Sequence, residues 1–226
     1  MNRPAASGSG ALDAIIYDLD GTLVDSRADI ADAVNATLEA LGLPRRSEAE
    51  VVSFVGEGAE LLLRRALGPA EEGRLAEARP IWARCYGERL TARTRAYAGI
   101  EESLALPPLR RAVLTNKPGA FAREIVRRLG LAPAFARVVG GDEAKRKPDP
   151  TALLSLCAEL GAAPGRSLLV GDSTIDIATG QAAGVPVCAV SWGFGAASAL
   201  SAARPSWSCA TTAELAALLR RLALST

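Results

Sequence analysis

The stretch Asp18-Leu19-Asp20-Gly21-Thr22-Leu23-Val24-Asp25-Ser26 concentrates reactive side chains. It follows an apolar run, Leu12 to Tyr17, that reads as a buried strand. Asp18 and Asp20 stand at i and i+2, so they leave such a strand end pointing the same way. Gly21 lets the backbone turn sharply there. Clustered carboxylates repel one another and are costly to desolvate. A divalent cation resolves that conflict, and hard oxygen ligands suit Mg²⁺. One acid can then attack an electrophile while the other moves a proton. A lone DxDG also fits a solvated turn, because turns are rich in Asp and Gly. An EF-hand loop is excluded, since Leu23 stands where that loop requires glycine.

Three further polar clusters occur along the chain. In Leu114-Thr115-Asn116-Lys117, a hydroxyl and an exposed backbone N–H could hold a phosphate; an ordinary helix cap, which Thr or Asn would serve equally well, fits the same residues. In Lys145-Arg146-Lys147-Pro148-Asp149-Pro150, Lys147 is the better phosphate ligand, because Pro148 restricts its backbone. Lys145 and Arg146 read as a solvated loop. In Gly171-Asp172-Ser173-Thr174-Ile175-Asp176, Asp172 can complete a metal site. Ser173 and Asp176 would support it, although Asp176 at a helix start also fits a favourable dipole interaction.

The elements that must position these clusters fall into two patterns. Residues 26 to about 92 read as all-helical, with Ile30, Val34, Leu38 and Leu41 at helical spacing. Ser26-x-x-Asp29 and Ser47-x-x-Glu50 look like capping boxes. From Tyr97 onward, apolar strands (Ala112–Leu114, Arg137–Val139, Ser167–Val170, Pro186–Val190) alternate with helices (Phe121–Leu129, Ala152–Leu160, Ile175–Ala183, Ala213–Leu222). That alternation predicts a parallel sheet with helices on both faces, and the first strand must join it. The expected organisation is a tail at 1–10, an α/β core at 11–25 and 97–226, and a helical insert at 26–96. Open parallel sheets bind ligands beyond the carboxyl ends of their strands.

Composition narrows the function. The chain has 226 residues, 49% of them hydrophobic, and a net charge of +1, which disfavours a general nucleic-acid binder. There is no His, and the only lysines are Lys117, Lys145 and Lys147. The four cysteines are scattered without a CxxC, so they read as free thiols of a reducing compartment. The first ten residues lack the apolar core of a signal peptide and read as a disordered tail. No apolar run is long enough to span a bilayer, and the expectation is a soluble cytoplasmic protein.

Taken together and in order, DxDGT, the Thr of LTN, Lys before Pro and GDSxxD resemble all four motifs of the haloacid dehalogenase superfamily. The resemblance implies a Rossmann-like parallel sheet core with helices on both faces and an inserted all-helical cap. It implies that Asp18 is the nucleophile and Asp20 the general acid/base. Mg²⁺ would be held by carboxylates of Asp18 and Asp172 and by the backbone carbonyl of Asp20. Thr115, Asn116 and Lys147 would hold the phosphate. Asp20 argues against true dehalogenation, which needs no proton donor. The insert has no Lys for Schiff-base chemistry, and the absence of His disfavours a His-dependent sugar phosphomutase. Val55-Gly56-Glu57-Gly58 through Arg65-Ala66-Leu67 is similar to the cap loop and helix of phosphoglycolate phosphatases. In that likeness Gly56 and Gly58 approach the substrate and Arg65 meets its carboxylate; a plain turn and a solvated Arg fit the same residues. Gly140-Gly141-Asp142 resembles the same subfamily. The segment Ile100 to Leu109, with Pro107-Pro108, departs from the family by being short.

The expected function is therefore Mg²⁺-dependent hydrolysis of a small phosphomonoester, 2-phosphoglycolate first, by a monomer or homodimer. Pyrophosphatase, broad sugar-phosphate phosphatase and phosphotransferase activities are the alternatives within the superfamily. A non-catalytic phospho-acceptor or binding module is the alternative outside it. A signalling receiver domain is disfavoured by the helical insert and by the DGT turn after the first strand.

Overall fold

The computed structural model describes residues 12–106 and 110–223. The expected tail at 1–10 and the Pro107-Pro108 pair lie outside the described residues. The chain enters through β1 (Ala14–Tyr17) and β2 (Val24–Asp25). It continues through helices α1 (Arg27–Ala40), α2 (Glu48–Ser53), α3 (Ala59–Leu67) and α4 (Leu75–Arg89), with a 3₁₀ segment at Pro69–Arg74. It returns at β3 (Arg95–Ala96), which pairs antiparallel with β2. Next come α5 (Ile100–Leu104), β4 (Arg110–Leu114), α6 (Gly119–Arg128), β5 (Arg137–Val139) and α7 (Thr151–Glu159). The remainder is β6 (Ser167–Gly171), α8 (Thr174–Ala183), β7 (Val187–Val190), α9 (Ala197–Ala202), β8 (Trp207–Cys209) and α10 (Thr212–Ala223).

The main sheet has six parallel strands in the order β5-β4-β1-β6-β7-β8. Its alternation explains the near-continuous apolar strands. Ile15, Tyr17, Val113, Leu168 and Val170 face one layer, packed with α5, α6, α10 and the helical block. Ala14, Ile16, Ala112, Leu114 and Leu169 face the other, packed with α7, α8 and α9. Burying both faces in this way defines a Rossmann-like α/β core.

Strand positions match the expected ones, with β1 beginning two residues later than Leu12 and β4 two residues earlier than Ala112. β2, β3, β8 and α9 were not expected, being two to six residues long. Ser47 and Glu50 form the expected capping box. Ser26 and Asp29 do not, and both are recruited elsewhere. The Ser26 hydroxyl donates to Asp20 Oδ1 at 2.6 Å. Asp29 accepts from the Arg93 and Thr94 backbone and from the Thr94 hydroxyl, tying α1 to the point where the chain returns to the sheet.

Candidate active site

The four clusters meet at the carboxyl ends of adjacent strands. Asp18 follows β1, Thr115 follows β4, Lys147 lies in the loop after β5, and Asp172 follows β6. Because β5, β4, β1 and β6 are neighbours in the sheet, residues far apart in sequence share one cleft.

Carboxylate oxygens of Asp18, Asp172 and Asp176 all lie within 4.8 Å of one another. Burial, with like charges nearby, raises Asp172 to about 7, and burial raises Asp18 to about 6 despite the opposing pull of Lys147. Lys147 Nζ sits between two of them, 2.9 Å from Asp18 and 2.6 Å from Asp176, with its side chain 2% exposed. Burial alone would lower the Lys147 pKa; the Asp176 and Asp18 carboxylates outweigh it and hold the ammonium charged. One ammonium among three acids leaves an excess of negative charge on hard oxygen donors, which fits a divalent cation such as Mg²⁺.

Asp172 is fixed by the Thr22 hydroxyl at 3.1 Å and by the Phe194 N–H at 2.6 Å. Gly21 has a φ of +80°, and a methyl group there would collide with the Asp172 carboxylate. The glycine in DxDG is thus required by both backbone angle and space. Ser173 caps α8, and Asp176 reciprocates through the Ser173 hydroxyl and N–H while also holding Lys147.

Asn116 acts as a stitch. Its side chain donates at 2.9 Å to the carbonyls of Gly56 and Lys147 and accepts at 2.9 Å from the Lys147 N–H. Thr115 is buried beside it. Gly140-Gly141-Asp142 braces the same loop. Asp142 accepts from the Gly119 N–H at 2.7 Å, and a side chain on Gly141 would strike the Asn116 backbone.

A cavity of about 240 Å³ opens over these groups, lined by Asp18, Asp20, Thr115, Asn116 and Asp172 from below and by Gly56, Gly58, Leu62 and Trp82 from the helical block. Arg65 does not line it. Its guanidinium pairs with Glu57 and reaches the Phe54 carbonyl, because α3 buries Leu62, Leu63, Ala66 and Leu67 and turns Arg65 outward.

Two features had no assigned role in the sequence reading. The loop after β7 brings the Phe194 N–H onto Asp172, and Trp192 donates to the Thr22 carbonyl. Lys117 is buried, and its Nζ lies 2.9 and 2.7 Å from the two Asp20 carboxylate oxygens. The signal that could have found it is compositional. Three lysines serve a chain with 26 basic residues, and the structure buries Lys117 and Lys147 while Lys145 stays exposed.

Acids at the ends of the adjacent strands β1 and β6, with a helical block inserted after β1, define a Rossmann-like α/β protein whose strand-end cleft suits a divalent cation and a phosphate. The chain belongs to the haloacid dehalogenase-like hydrolase family, whose model matches residues 15–190. It is similar to a phosphoglycolate phosphatase of Rhodospirillum rubrum, at 42% identity over 193 residues covering 80% of each chain. It is also similar to a phosphoglycolate phosphatase of Chromobacterium violaceum, at 39% identity over 201 residues, covering 84% of this chain and 89% of the other. A crystal structure of a predicted phosphoglycolate phosphatase from Haemophilus somnus superposes with a TM-score of 0.87 at 30% identity, covering 93% of this chain and 99% of that one. The chain is accordingly an enzyme, a phosphoric monoester hydrolase of phosphoglycolate phosphatase-like type. No helix among the described residues is long and apolar enough to cross a membrane.

Proposed function

We propose that the protein hydrolyses a small phosphomonoester, most specifically 2-phosphoglycolate, by two-step phosphoryl transfer through Asp18. The observation that carries this reading is the convergence of Asp18, Asp172, Asp176 and Lys147 at the strand ends, with Asp20 alongside. An Asp18 oxygen attacks phosphorus as the bond to the leaving oxygen breaks, giving an aspartyl-phosphate. Asp20 gives that leaving oxygen a proton, then takes one from the water that displaces Asp18 from phosphorus. Lys147, the Thr115 hydroxyl and the Asn116 N–H offset charge on the transferring group. Asp18 and Asp172 would hold Mg²⁺ with the backbone carbonyl of Asp20, whose own carboxylate is engaged by Ser26 and Lys117. Bound there, the cation would offset repulsion between Asp18 and the incoming phosphate.

In this reading residues 26–96 are the cap, and the described residues within 11–25 and 97–226 are the core. The antiparallel β2–β3 pair marks where the chain leaves the core and returns. Gly56 and Gly58 bring the cap loop to the cavity, one of them through its hydrogen bond to Asn116. A cap seated there excludes bulk water during transfer.

The test is phosphate release from 2-phosphoglycolate, pyrophosphate, several sugar phosphates and a nucleotide monophosphate, with Mg²⁺ and with EDTA. Metal-dependent turnover with a strong preference for 2-phosphoglycolate is expected. A preference for another compound keeps the chemistry and removes the substrate assignment. Turnover that EDTA leaves unchanged overturns the metal site.

A further inference from the structure

We propose that Lys117, pinned beneath the ring of Tyr86, is a positioning residue for Asp20, and that the helical block acts on the acid/base step through this buried ammonium. The proposal deepens the reading above and rests on Asp20 being the acid/base group.

The Asp20 carboxylate is gripped at both oxygens. Ser26 and Lys117 share Oδ1, at 2.6 and 2.9 Å, and Lys117 also holds Oδ2, at 2.7 Å. A hydroxyl on one oxygen leaves a carboxylate free to swing about that contact. An ammonium on both oxygens removes the swing, and proton transfer requires a fixed donor within hydrogen-bond reach of the leaving oxygen. The pair is buried, at 6% and 10% side-chain exposure, so little solvent competes for it.

What holds Lys117 in place comes from a different part of the chain. Its Nζ lies 4.7 Å from the ring centroid of Tyr86 on α4, within range of an attraction between cation and ring face. Tyr86 stacks on Trp82, one turn earlier, with centroids 5.3 Å apart and planes 9° apart. Both meet the edge of Phe121 on α6, at 5.7 and 5.3 Å. Lys117 precedes α6 by two residues, so one aromatic cluster fixes the lysine, its own helix and the helical block together. The two buried lysines thus divide the site. Lys147 serves Asp18 and Asp176, and Lys117 serves Asp20.

The experiment compares kcat/KM for an alkyl phosphate, 2-phosphoglycolate, with that for p-nitrophenyl phosphate, whose phenolate departs without needing a proton. Asp20→Asn, Lys117→Met, Tyr86→Leu and Tyr86→Phe are measured with Mg²⁺, and folding of each is checked by thermal melting. Lys117→Met is expected to lower the alkyl rate at least about tenfold more than the aryl rate, a fraction of what a general acid supplies. Tyr86→Leu is expected to shift the ratio in the same direction by less, and Tyr86→Phe, which keeps the ring, to leave it unchanged. Equal losses on both esters in folded Lys117→Met would overturn the proposal, as would a Tyr86→Phe effect as large as that of Tyr86→Leu. Should Lys117→Met fail to fold, Tyr86→Leu decides, since it keeps both charged partners and removes only the ring beside the ammonium. Asp20→Asn separates the two claims. If it shows no asymmetry, the acid/base assignment itself falls; if it does and folded Lys117→Met does not, only the role of Lys117 falls.

Discussion

Replacing Lys147 with methionine removes an ammonium and keeps most of the side-chain volume. In the native protein that ammonium is 2.9 Å from Asp18 and 2.6 Å from Asp176, and the Asp176 side chain is wholly buried. The variant would leave three carboxylates facing one another with no cation. Removing one partner of a buried ion pair costs roughly 3–5 kcal/mol, most of it the penalty of stranding the other charge. For a protein of this size 1 kcal/mol moves the melting temperature by about 2–4 °C, so a fall of about 6–20 °C is expected. The fall should be largest near pH 8 in EDTA. It should shrink with millimolar Mg²⁺, which binds the native state and stabilises it by mass action. It should also shrink near pH 5, where Asp18 and Asp172, raised by burial to about 6 and about 7, take up protons. Thermal melts followed by circular dichroism under the three conditions decide the matter. A loss below about 1 kcal/mol in EDTA at pH 8, or one indifferent to both metal and pH, would refute the electrostatic reasoning.

Three other outcomes follow from the same geometry. Asp18 and Asp172 hold protons more tightly in the fold than at their ordinary value of 3.8, so from about pH 4 to pH 7 their contribution makes the metal-free protein less stable as pH rises. Stabilisation by Mg²⁺ in thermal melts should therefore grow between about pH 5 and pH 8, and a flat or falling profile would contradict it. Gly21→Ala adds a left-handed strain of roughly 1–2 kcal/mol and drives a methyl group into Asp172. It should cut kcat/KM on the order of tenfold or more while the protein still folds; wild-type kinetics would show that the turn has slack. Arg65→Ala removes a half-exposed ion pair outside the cavity. It should lower kcat/KM for 2-phosphoglycolate by no more than about fivefold, and a larger loss confined to carboxylate-bearing substrates would place Arg65 at the substrate after all.

Much of the core was legible because its chemistry is local. An apolar run followed by DxDGT names a strand, a turn and two acids at once, and the polar clusters after later apolar runs repeat the pattern. Adjacency in the sheet then brings them together, which strand–helix alternation anticipates. The missed parts depend on contacts distant in sequence. Ser26 and Asp29 have capping-box spacing, yet Asp20 and the returning strand at Arg93-Thr94 claim them. Tertiary partners outcompeted a local preference. β8 has three residues, of which Cys209 alone is buried, so no period could reveal it. Asn116 was read for its backbone N–H, while its side chain turned out to join Lys147 to the Gly56 carbonyl. Arg65 was read from a motif, although the apolar stripe of α3 already turned it outward.

The central claim is that Asp18 carries the phosphoryl group. The most direct test uses Asp20→Asn with p-nitrophenyl phosphate and Mg²⁺, because departure of the phenolate needs no proton while hydrolysis of the intermediate lacks its base. Acid quenching followed by peptide mass spectrometry should find the phosphoryl group on the peptide containing Asp18, and nowhere in an Asp18→Asn control. Phosphate mapped to another residue, or burst release of nitrophenolate with no phosphorylated peptide, would contradict the account.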